Sequence, residues 1–478
     1  MPLKVRRRSA IIGKRPYCTN SLLNKTQTSL TIVGGGLAGI AAAESAQSLG
    51  YQTVLYERNG VLGGRVASFF EPIKKQWIDI GQHLLLGCCT EVLALHQRLG
   101  LDQFYDRYDT THFATLHRQH WSLTSSPYLP QRLQLLPSFL TMPMVPILER
   151  LKTGLLLKKL ADETLTDISV ADWFKQHEVT HHSIDAFWNP LILSTLNEMP
   201  EYAAAKALQK VIRACLGETR NAMSVYLPKI PLREIYHDNA AKALKKNGVT
   251  LQFYKRLRRI HWEKYEDTEL PTIKSLEFSD GTIAQSDQYI LALPTSQLWK
   301  VLDASALTES AEKLRLERFE PGAVTTVHLW LNRPVLEPDK RYCVLAGGIG
   351  QFVCRPNNDI KNYYTVVISA AHRLLNDTEM TAAGSADLAH RILEQLKTTF
   401  ESPDLQLLHC RTTTCFEATF SPQPLVYANR PESSCLFENG TISGDWTQTG
   451  FPATLEGAVR SGLVRMKADA TLPLHTEK

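Results

Sequence analysis

The sequence lacks the cysteine patterns of zinc sites and disulfide scaffolds. Its nine cysteines are an odd number, and no two are spaced as Cys-x-x-Cys. Cys88 and Cys89 are adjacent, which suits neither a structural disulfide nor a metal knuckle. We therefore expect reduced thiols in a cytoplasmic protein, and no resident metal ion.

Long hydrophobic runs and a strong charge excess are also missing. No stretch approaches the ~18–20 apolar residues of a membrane-spanning helix. The most apolar region, Leu136 to Leu160, is interrupted by prolines and charges. It is therefore either a packed pair of helices or a surface that lies against a membrane. The net charge of +5, from 53 basic and 48 acidic side chains, gives no indication of nucleic acid binding.

The N-terminal residues 1–28 are basic, and no acidic residue precedes Glu44. A secretory signal needs an apolar run of about 7–15 residues after the charges. The short run Ser9 to Gly13 is closed by Lys14 and is not long enough. We expect either a tail without ordered structure or a start codon assigned too early.

A strand, a helix and a second strand are predicted from Ser29 onward. The β-branched run Ser29 to Val33 is typical of a buried parallel strand. The alanine-rich segment Leu37 to Leu49 predicts a helix that ends before Gly50. Thr53 to Tyr56 predicts the second strand. Together they form a Rossmann-type βαβ unit.

The turn between the first strand and the helix fits the pattern G-x-G-x-x-G. Gly34 permits the tight turn, Gly36 lets a pyrophosphate touch the backbone, and Gly39 lets helix and strand pack closely. The helix N-terminus, with Leu37 and Ala38, offers free N–H groups to phosphates. Because Glu57 ends the next strand and can accept ribose hydroxyls, the pattern indicates a dinucleotide.

The segment after Glu57 distinguishes an FAD-binding site from an NAD-binding site. Arg58 is followed by the turn Gly63-Gly64-Arg65, in which the glycines let the backbone approach a nucleotide and the arginine can pair with phosphate. This stretch resembles the FAD-dependent amine oxidase and phytoene desaturase superfamily. The resemblance implies FAD as the cofactor.

Three further segments are similar to the squalene-associated branch of that superfamily, the hydroxysqualene dehydroxylases. Residues 79–87 read Asp-x-Gly-Gln-His-x-x-x-Gly, which places Gly81, Gln82 and His83 beside the flavin by resemblance. Residues 187–191 and 196–198 carry Phe-Trp-Asn-Pro-Leu and Leu-Asn-Glu. Residues 417–422 resemble an Arg-Ala-Thr-Phe-x-x-Pro segment, but Glu417 stands where a basic residue is expected.

A glycine, an aspartate and a predicted helix near the C-terminus complete the proposed flavin site. Asp445 follows Gly444 after a predicted strand and can bind ribityl hydroxyls or a phosphate-bridging water. Pro452, Ala453 and Thr454 precede the helix. Its dipole would stabilise a reduced anionic flavin by about 0.3–1 kcal/mol.

The resemblance implies an α/β fold with two domains. A discontinuous Rossmann-like, glutathione-reductase-like FAD-binding domain takes residues 29–90, 205–300 and 435–478. A mixed α+β substrate domain takes residues 91–204 and 301–434. It is partly helical, and it faces the membrane if the region Leu136 to Leu160 is a surface that lies against a membrane. We expect the middle, Cys89 to Glu201, to be mostly helical. The predicted cofactor-binding residues are Gly34, Gly36, Leu37, Ala38, Gly39, Glu57, Arg58, Gly63, Gly64, Arg65, Gly81, Gln82, His83, Leu257, Gly444, Asp445, Pro452, Ala453 and Thr454.

The activity implied by the resemblance is removal of the hydroxyl of hydroxysqualene to give squalene. His83 and Asp79 are the candidates for the proton donor, although His83 can equally have a structural role by bonding a backbone carbonyl. Oxidative alternatives are a carotenoid or phytoene desaturase and an amine oxidase, and a non-enzymatic one is a flavin-binding partner of a polyprenyl synthase. The expected partners are a long polyprenoid substrate and upstream squalene-pathway synthases. The expected location is the cytoplasm, or the inner face of a membrane.

Overall fold

The computed structural model describes residues 27–129, 133–217, 221–356, 360–381 and 384–463. Nearly all of the basic tail, and the end of the third segment assigned to the FAD-binding domain, lie outside the described residues. The strands, in chain order, are β1 (Ser29–Val33), β2 (Gln52–Tyr56), β3 (Ser68–Glu71), β4 (Gln76–Asp79), β5 (Leu85–Leu86), β6 (Tyr105–Tyr108), β7 (Thr110–Thr115), β8 (His120–Thr124), β9 (Val225–Pro228), β10 (Thr250–Gln252), β11 (Leu257–Glu263), β12 (Thr272–Phe278), β13 (Ile283–Ala284), β14 (Gln288–Leu291), β15 (Pro321–Leu331), β16 (Tyr342–Ala346), β17 (Phe352–Cys354), β18 (Tyr363–Ile368), β19 (Leu407–Phe420) and β20 (Gly440–Ile442).

The helices lie between groups of these strands, and short 3-10 turns occur at Asp102–Phe104 and Leu316–Arg318. Two segments with π-helical geometry, Ile184–Trp188 and Glu234–Asn239, lead directly into α-helices. The α-helices are α1 (Leu37–Ser48), α2 (Thr90–Leu99), α3 (Leu136–Leu140), α4 (Ile147–Asp162), α5 (Val170–Gln176), α6 (His181–Ser183), α7 (Asn189–Leu196), α8 (Ala205–Cys215), α9 (Ala240–Lys246), α10 (Thr295–Ala304), α11 (Thr308–Leu314), α12 (Ala371–Leu374), α13 (Ser385–Thr399), α14 (Pro424–Ala428) and α15 (Leu455–Gly462).

A five-stranded parallel sheet in the order β10-β2-β1-β14-β20 forms the nucleotide-binding part of the fold. Both faces of β1 are covered, which explains its unbroken apolar sequence. Strands β1 and β2 and helix α1 confirm the predicted βαβ unit. Strands β10, β14 and β20 come from distant parts of the chain, as predicted for a discontinuous domain.

Helix α1 is sandwiched between this sheet and the C-terminal helix α15. Ile40 and Ala41 of α1 are fully buried. A side chain at Gly462 of α15 would overlap the Ala38 carbonyl, so the two helices touch through their backbones there. This contact joins the first and last described helices and fixes the position of α15 relative to the glycine turn.

A mixed seven-stranded sheet in the order β19-β15-β18-β17-β16-β7-β8 forms the second part of the fold. The prediction of a mostly helical middle region was wrong for β6, β7 and β8. These strands are short and carry few β-branched apolar residues. β8 pairs with β7 in a local hairpin. β6 and β7 also have partners that are remote in sequence: β6 pairs with β9, and Phe113 of β7 pairs with Val344 of β16. The hydrophobic pattern within one segment does not indicate that it pairs with a remote strand.

Helices α3 to α8 and α14 pack on one another beside the seven-stranded sheet, whereas α2 packs against α15, and α9 against α1. Helix α8, which was assigned to the FAD-binding domain, packs against α4, α5, α7 and α14 instead of the five-stranded sheet. The exact domain boundaries stay a prediction. Among the described residues, no helix combines the length and apolarity needed to cross a bilayer.

Candidate functional site

Two glycines of the turn after β1 are required by the protein's own backbone. Gly34 has φ +107°, and a Cβ there would overlap the Ala292 carbonyl. A Cβ at Gly39 would overlap the Gly34 carbonyl. The turn and the close approach of α1 to the sheet therefore depend on these residues, as predicted.

Gly36 differs, because neither its backbone conformation nor the space around it requires a glycine. It lies at the N-terminus of α1, before Leu37 and Ala38, and its φ of −73° is open to any residue. An added Cβ would come no closer to other protein atoms than 3.9 Å, to Gly64 Cα. The space over this backbone is left for a ligand at the positive end of the helix dipole.

The carboxylate of Glu57 is fixed at the end of β2. It is 5% exposed, and its Oε2 accepts the Gly35 N–H at 2.7 Å while Oε1 accepts the Asn59 N–H at 2.8 Å. These bonds hold the acid against the glycine turn, with further lone pairs left for hydroxyl donors. Arg58 beside it is exposed.

Leu257 lies at the start of β11 with its side chain in the core. It is 7% exposed and pairs with Phe278, whose ring stacks on Tyr56 of β2 at 4.5 Å. Its position near the carboxyl end of β2 is compatible with a backbone contact to a nucleotide. Its predicted binding role stays a prediction.

The second glycine turn lies directly on the first. Gly63 donates to the Gly35 carbonyl at 2.8 Å, and Gly63 and Gly64 have φ of +112° and +61°. A Cβ at Gly64 would come to 3.0 Å from Gly36 Cα. Residues that are separate motifs in the sequence thus form one continuous glycine surface.

Arg65 joins the two ends of the chain through Asp445. Its Nη2 donates to Asp445 Oδ1 at 2.6 Å, and its Nη1 donates to the Ala418 carbonyl at 2.9 Å. Burial alone lowers the pKa of Arg65, but Asp445 outweighs it and raises the pKa overall. In the structure two of its donors are bonded to protein oxygens, and the predicted pairing of Arg65 with phosphate stays a prediction. Glu417, the departure from the expected motif, adds a further negative charge near this guanidinium.

Gly444 precedes Asp445, the partner of Arg65, and it contacts the last turn of α15. Gly444 has φ +159° and donates to Ser461 Oγ of α15 at 2.9 Å. Thr454 caps α15 by accepting the Gly457 N–H at 3.1 Å, after the buried Pro452 and Ala453. The predicted helix N-terminus is therefore present, and the capped turn leaves a positive dipole end.

The strip Gly81-Gln82-His83 follows β4 and contains the clearest sign of a missing polar partner. Both Oε1 and Nε2 of Gln82 are buried and have no hydrogen-bond partner among the described residues. Thr326 Oγ1 of β15 is also buried and unpartnered within the described chain, and it lies 3.8 Å from the position of a Cβ on Gly81. Buried polar atoms are normally satisfied, so these atoms fit a polar ligand. Sequence reasoning missed Thr326, because nothing local marks one threonine of a strand.

The two candidate proton donors titrate in opposite directions. Asp79 Oδ1 accepts Ser68 Oγ at 2.6 Å and the Leu232 N–H at 2.9 Å, yet burial raises its pKa to about 7. Burial and the charge of Arg65 lower the pKa of His83 to about 4, although a hydrogen bond with the Arg65 backbone opposes this. His83 is therefore neutral at pH 7, and of the two only Asp79 keeps a protonated fraction there.

Asp79→Asn is expected to make the protein more stable than the wild type at pH 8 and equally stable at pH 4. The pKa of Asp79 is raised in the folded state, so the wild type loses stability as pH rises from about 4 through 7. Asparagine keeps the acceptor for Ser68 and Leu232 and removes the charge. Melting temperatures of both proteins across this range test the prediction, and equal values at pH 8 would contradict it.

The residues described fit FAD rather than merely a nucleotide-sized anion. The open backbone at Gly36 and the fixed Glu57 carboxylate suit a pyrophosphate and a ribose. The unpartnered amide of Gln82 lies in a different segment, after β4, and suits the polar edge of a ring system. No cluster of metal-ligating side chains occurs in the described residues.

Comparison with known proteins agrees with this geometry. Residues 37–464 match the family described as flavin-containing amine oxidoreductase. The chain belongs to this family. It is thus an FAD-dependent oxidoreductase.

Individual members of the flavin-containing amine oxidoreductase family match over nearly the whole chain. A hydroxysqualene dehydroxylase of Zymomonas mobilis is 27% identical over 448 residues, covering 90% of this chain and 96% of the relative. A probable zeta-carotene desaturase of Synechococcus elongatus is 23% identical and covers 92% and 98%.

Solved structures of this family share the fold at low identity. An oxidoreductase from Methanosarcina mazei superposes with a TM-score of 0.69 at 14% identity, covering 91% of this chain and 99% of that one. Cyclohexylamine oxidase from Brevibacterium oxydans gives a TM-score of 0.65 at 15% identity, covering 91% and 97%. The predicted fold class is confirmed.

Proposed function

We propose that the protein removes the hydroxyl group of hydroxysqualene reductively to give squalene. The observation that carries the proposal is the near full-length similarity to hydroxysqualene dehydroxylases of two bacteria, Zymomonas mobilis and Sinorhizobium fredii, at 27% and 25% identity. The Asp-x-Gly-Gln-His strip and the Phe-Trp-Asn-Pro segment support the same branch.

The reaction needs a proton for the leaving oxygen and a hydride for the carbon. Bound FAD, once reduced, supplies the hydride. The C–O bond breaks as the hydroxyl takes a proton and leaves as water. Asp79 is the residue proposed to hold that proton, because its pKa of about 7 leaves a protonated fraction at neutral pH. Neutral His83 is proposed to orient the hydroxyl.

Asp79→Asn is expected to lower turnover of hydroxysqualene by about a hundredfold or more while FAD stays bound. The assay is anaerobic, with FAD reduced by dithionite and squalene measured by mass spectrometry. His83→Gln is the matched variant: it keeps a neutral polar side chain and should lose less than about tenfold. Wild-type turnover in Asp79→Asn would remove Asp79 from the mechanism, and absence of squalene from the wild type would refute the proposed reaction.

Carotenoid desaturation is the second candidate, favoured by the similarity to the zeta-carotene desaturase and to phytoene desaturases. It uses an equally apolar substrate but runs the flavin in the oxidising direction. Incubating the FAD-loaded enzyme with phytoene and an electron acceptor distinguishes the two: a desaturated product without squalene formation would favour this candidate.

The expected partners and location are also proposals. A long polyprenoid substrate and the synthases that precede it suit either reaction. A location at the inner face of a membrane suits a substrate that partitions into lipid.

A further inference from the structure

An exposed apolar ridge runs along α3 and α4. On α4, Ile147, Leu148, Leu151 and Leu155 are 65%, 79%, 48% and 69% exposed. Leu136 and Leu140 of α3 are 37% and 40% exposed. Single exposed leucines are ordinary, but a contiguous apolar surface on a water-soluble fold marks an interaction site.

The ridge is one face of a rigid helical pair. Residues 147, 151 and 155 follow the i, i+4 spacing of a helix surface. Arg150 ties the pair together, because its Nη1 donates to the Leu140 carbonyl at 2.7 Å and its Nε to the Val145 carbonyl at 2.7 Å. The opposite face, including Phe139, Leu156 and Leu160, is buried in the core. The fold is therefore complete without the ridge.

Basic side chains lie directly beyond the ridge. Lys158 and Lys159 are exposed on the last turns of α4. At its C-terminal end, α4 borders a cavity of about 420 Å³ whose lining includes Lys206, Lys210 and Arg213 of α8. Arg213 Nε donates to the Ala161 carbonyl at 2.6 Å, which joins the cavity to α4.

Lys210 and Arg213 carry the excess positive charge of this cavity. Lys206 is paired with Asp167 at 2.8 Å, whereas Lys210 and Arg213 have no ion-pair partner among the described residues. Burial, Arg460 and Arg213 all lower the pKa of Lys210. Glu163 is the one carboxylate among the lining residues, so two cations face one acid, and the cavity favours an anion.

We infer that this surface docks the protein on a bilayer with anionic headgroups, the ridge entering the acyl boundary and Lys158, Lys159, Lys210 and Arg213 meeting the phosphates. An apolar face flanked by lysine and arginine is the pattern of interfacial helices. The inference extends the proposed function, to which it adds a route for a lipid-soluble substrate.

Cosedimentation of the FAD-loaded protein with vesicles tests the docking without any substrate. We expect binding to vesicles of equal phosphatidylglycerol and phosphatidylcholine to be at least tenfold tighter than to phosphatidylcholine alone. Leu148→Glu with Leu151→Glu should weaken it at least tenfold. The matched control is Leu49→Glu with Leu408→Glu, at positions that are 57% and 63% exposed elsewhere, and it should stay within twofold of the wild type.

The charged flank is tested by Lys210→Glu with Arg213→Glu. These changes should abolish the preference for anionic vesicles while leaving the weak binding to phosphatidylcholine. Inorganic phosphate at millimolar concentration should not displace the protein; displacement would assign the cavity to free phosphate instead of a headgroup.

Three results would overturn the docking surface. The wild-type protein could stay in the supernatant with every vesicle, or the ridge and control variants could weaken vesicle binding equally. The third result is a dimer in light scattering that the ridge variant dissociates. A protein that binds vesicles but makes no squalene would refute the proposed reaction and leave the docking surface standing.

Discussion

Gly36→Ala is expected to lower the FAD content of the purified protein on the order of tenfold or more, while changing the melting temperature of the flavin-free protein by no more than about 3 °C. The fold accommodates the methyl group, which reaches other protein atoms only at 3.9 Å. The φ of −73° is also acceptable for alanine. A pyrophosphate in contact with this backbone would collide with the added methyl group, so the substitution weakens FAD binding and not folding.

Gly34→Ala and Gly154→Ala make this test specific. Alanine at Gly34 meets both a φ of +107° and the Ala292 carbonyl, so this variant should fold poorly whether or not FAD is offered. Gly154 of α4 has no neighbour within 4 Å of an added Cβ, so its variant should keep both fold and flavin. FAD is quantified by absorbance after denaturation and desalting. A Gly36→Ala protein with a full complement of flavin would contradict the assigned phosphate position.

The sequence was most informative where local signals and tertiary packing agree. The glycine turn, α1 and the two buried strands follow from spacing and composition alone, because the positive φ of Gly34 and the contact of Gly39 with the Gly34 carbonyl both arise within the βαβ unit itself. Helix α5 is specified in the same local way, since Ser169 caps it by accepting the Asp172 N–H at 3.1 Å. Such elements are specified within a few residues.

Contacts between remote segments were not predictable in the same way. Arg65 was identified from its motif, but its two acceptors, Asp445 and Ala418, lie more than 300 residues away. The pKa of Asp79 is raised and that of His83 is lowered because both side chains are buried beneath other elements. The spacing of residues in the sequence does not indicate this burial. The seven-stranded sheet was missed in part because β7 and β16 meet only in the folded chain.

Glu198 lies at a junction of three segments, and it illustrates the same limit. The sequence marked it only as part of a family-like Leu-Asn-Glu segment. In the structure its carboxylate is fully buried and accepts Arg373 Nε at 3.2 Å, Ser421 Oγ at 2.5 Å and the Met199 N–H at 2.9 Å, while His372 lies at 3.3 Å. These partners connect the end of α7, α12 and the residues that follow β19.

Its neighbour Asn197 strengthens the junction. Asn197 has φ +53°, and its side chain accepts the Ala370 N–H at 2.7 Å and donates to Thr419 Oγ1 at 2.8 Å. Thr419 is next to Ala418, whose carbonyl holds Arg65. The junction thus supports the strand end that positions the arginine of the flavin site.

Glu198→Gln is expected to destabilise the protein by about 3 kcal/mol, observed as a melting temperature lowered by roughly 5 °C at pH 7. This loss of stability is at the lower end of the range for breaking a buried ion pair, because Arg373 keeps a second partner, Glu320, at 3.0 Å. The control is Glu317→Gln, whose pair with Arg318 spans 3.8 Å between exposed side chains and should change stability by less than about 0.5 kcal/mol.

The pH dependence of the Glu198→Gln effect separates the charge from the shape of the side chain. Burial alone would raise the pKa of Glu198, but hydrogen bonds from His372, Ser421 and Arg373 lower it to about 2. Because the folded-state pKa lies below the unfolded one, the stabilisation is complete above about pH 4.5 and is lost as the pH falls toward 2. The gap in melting temperature between wild type and variant should therefore narrow from pH 7 to pH 3.5. A gap that stays constant over this range would mean that packing, and not the ionised carboxylate, holds the junction together.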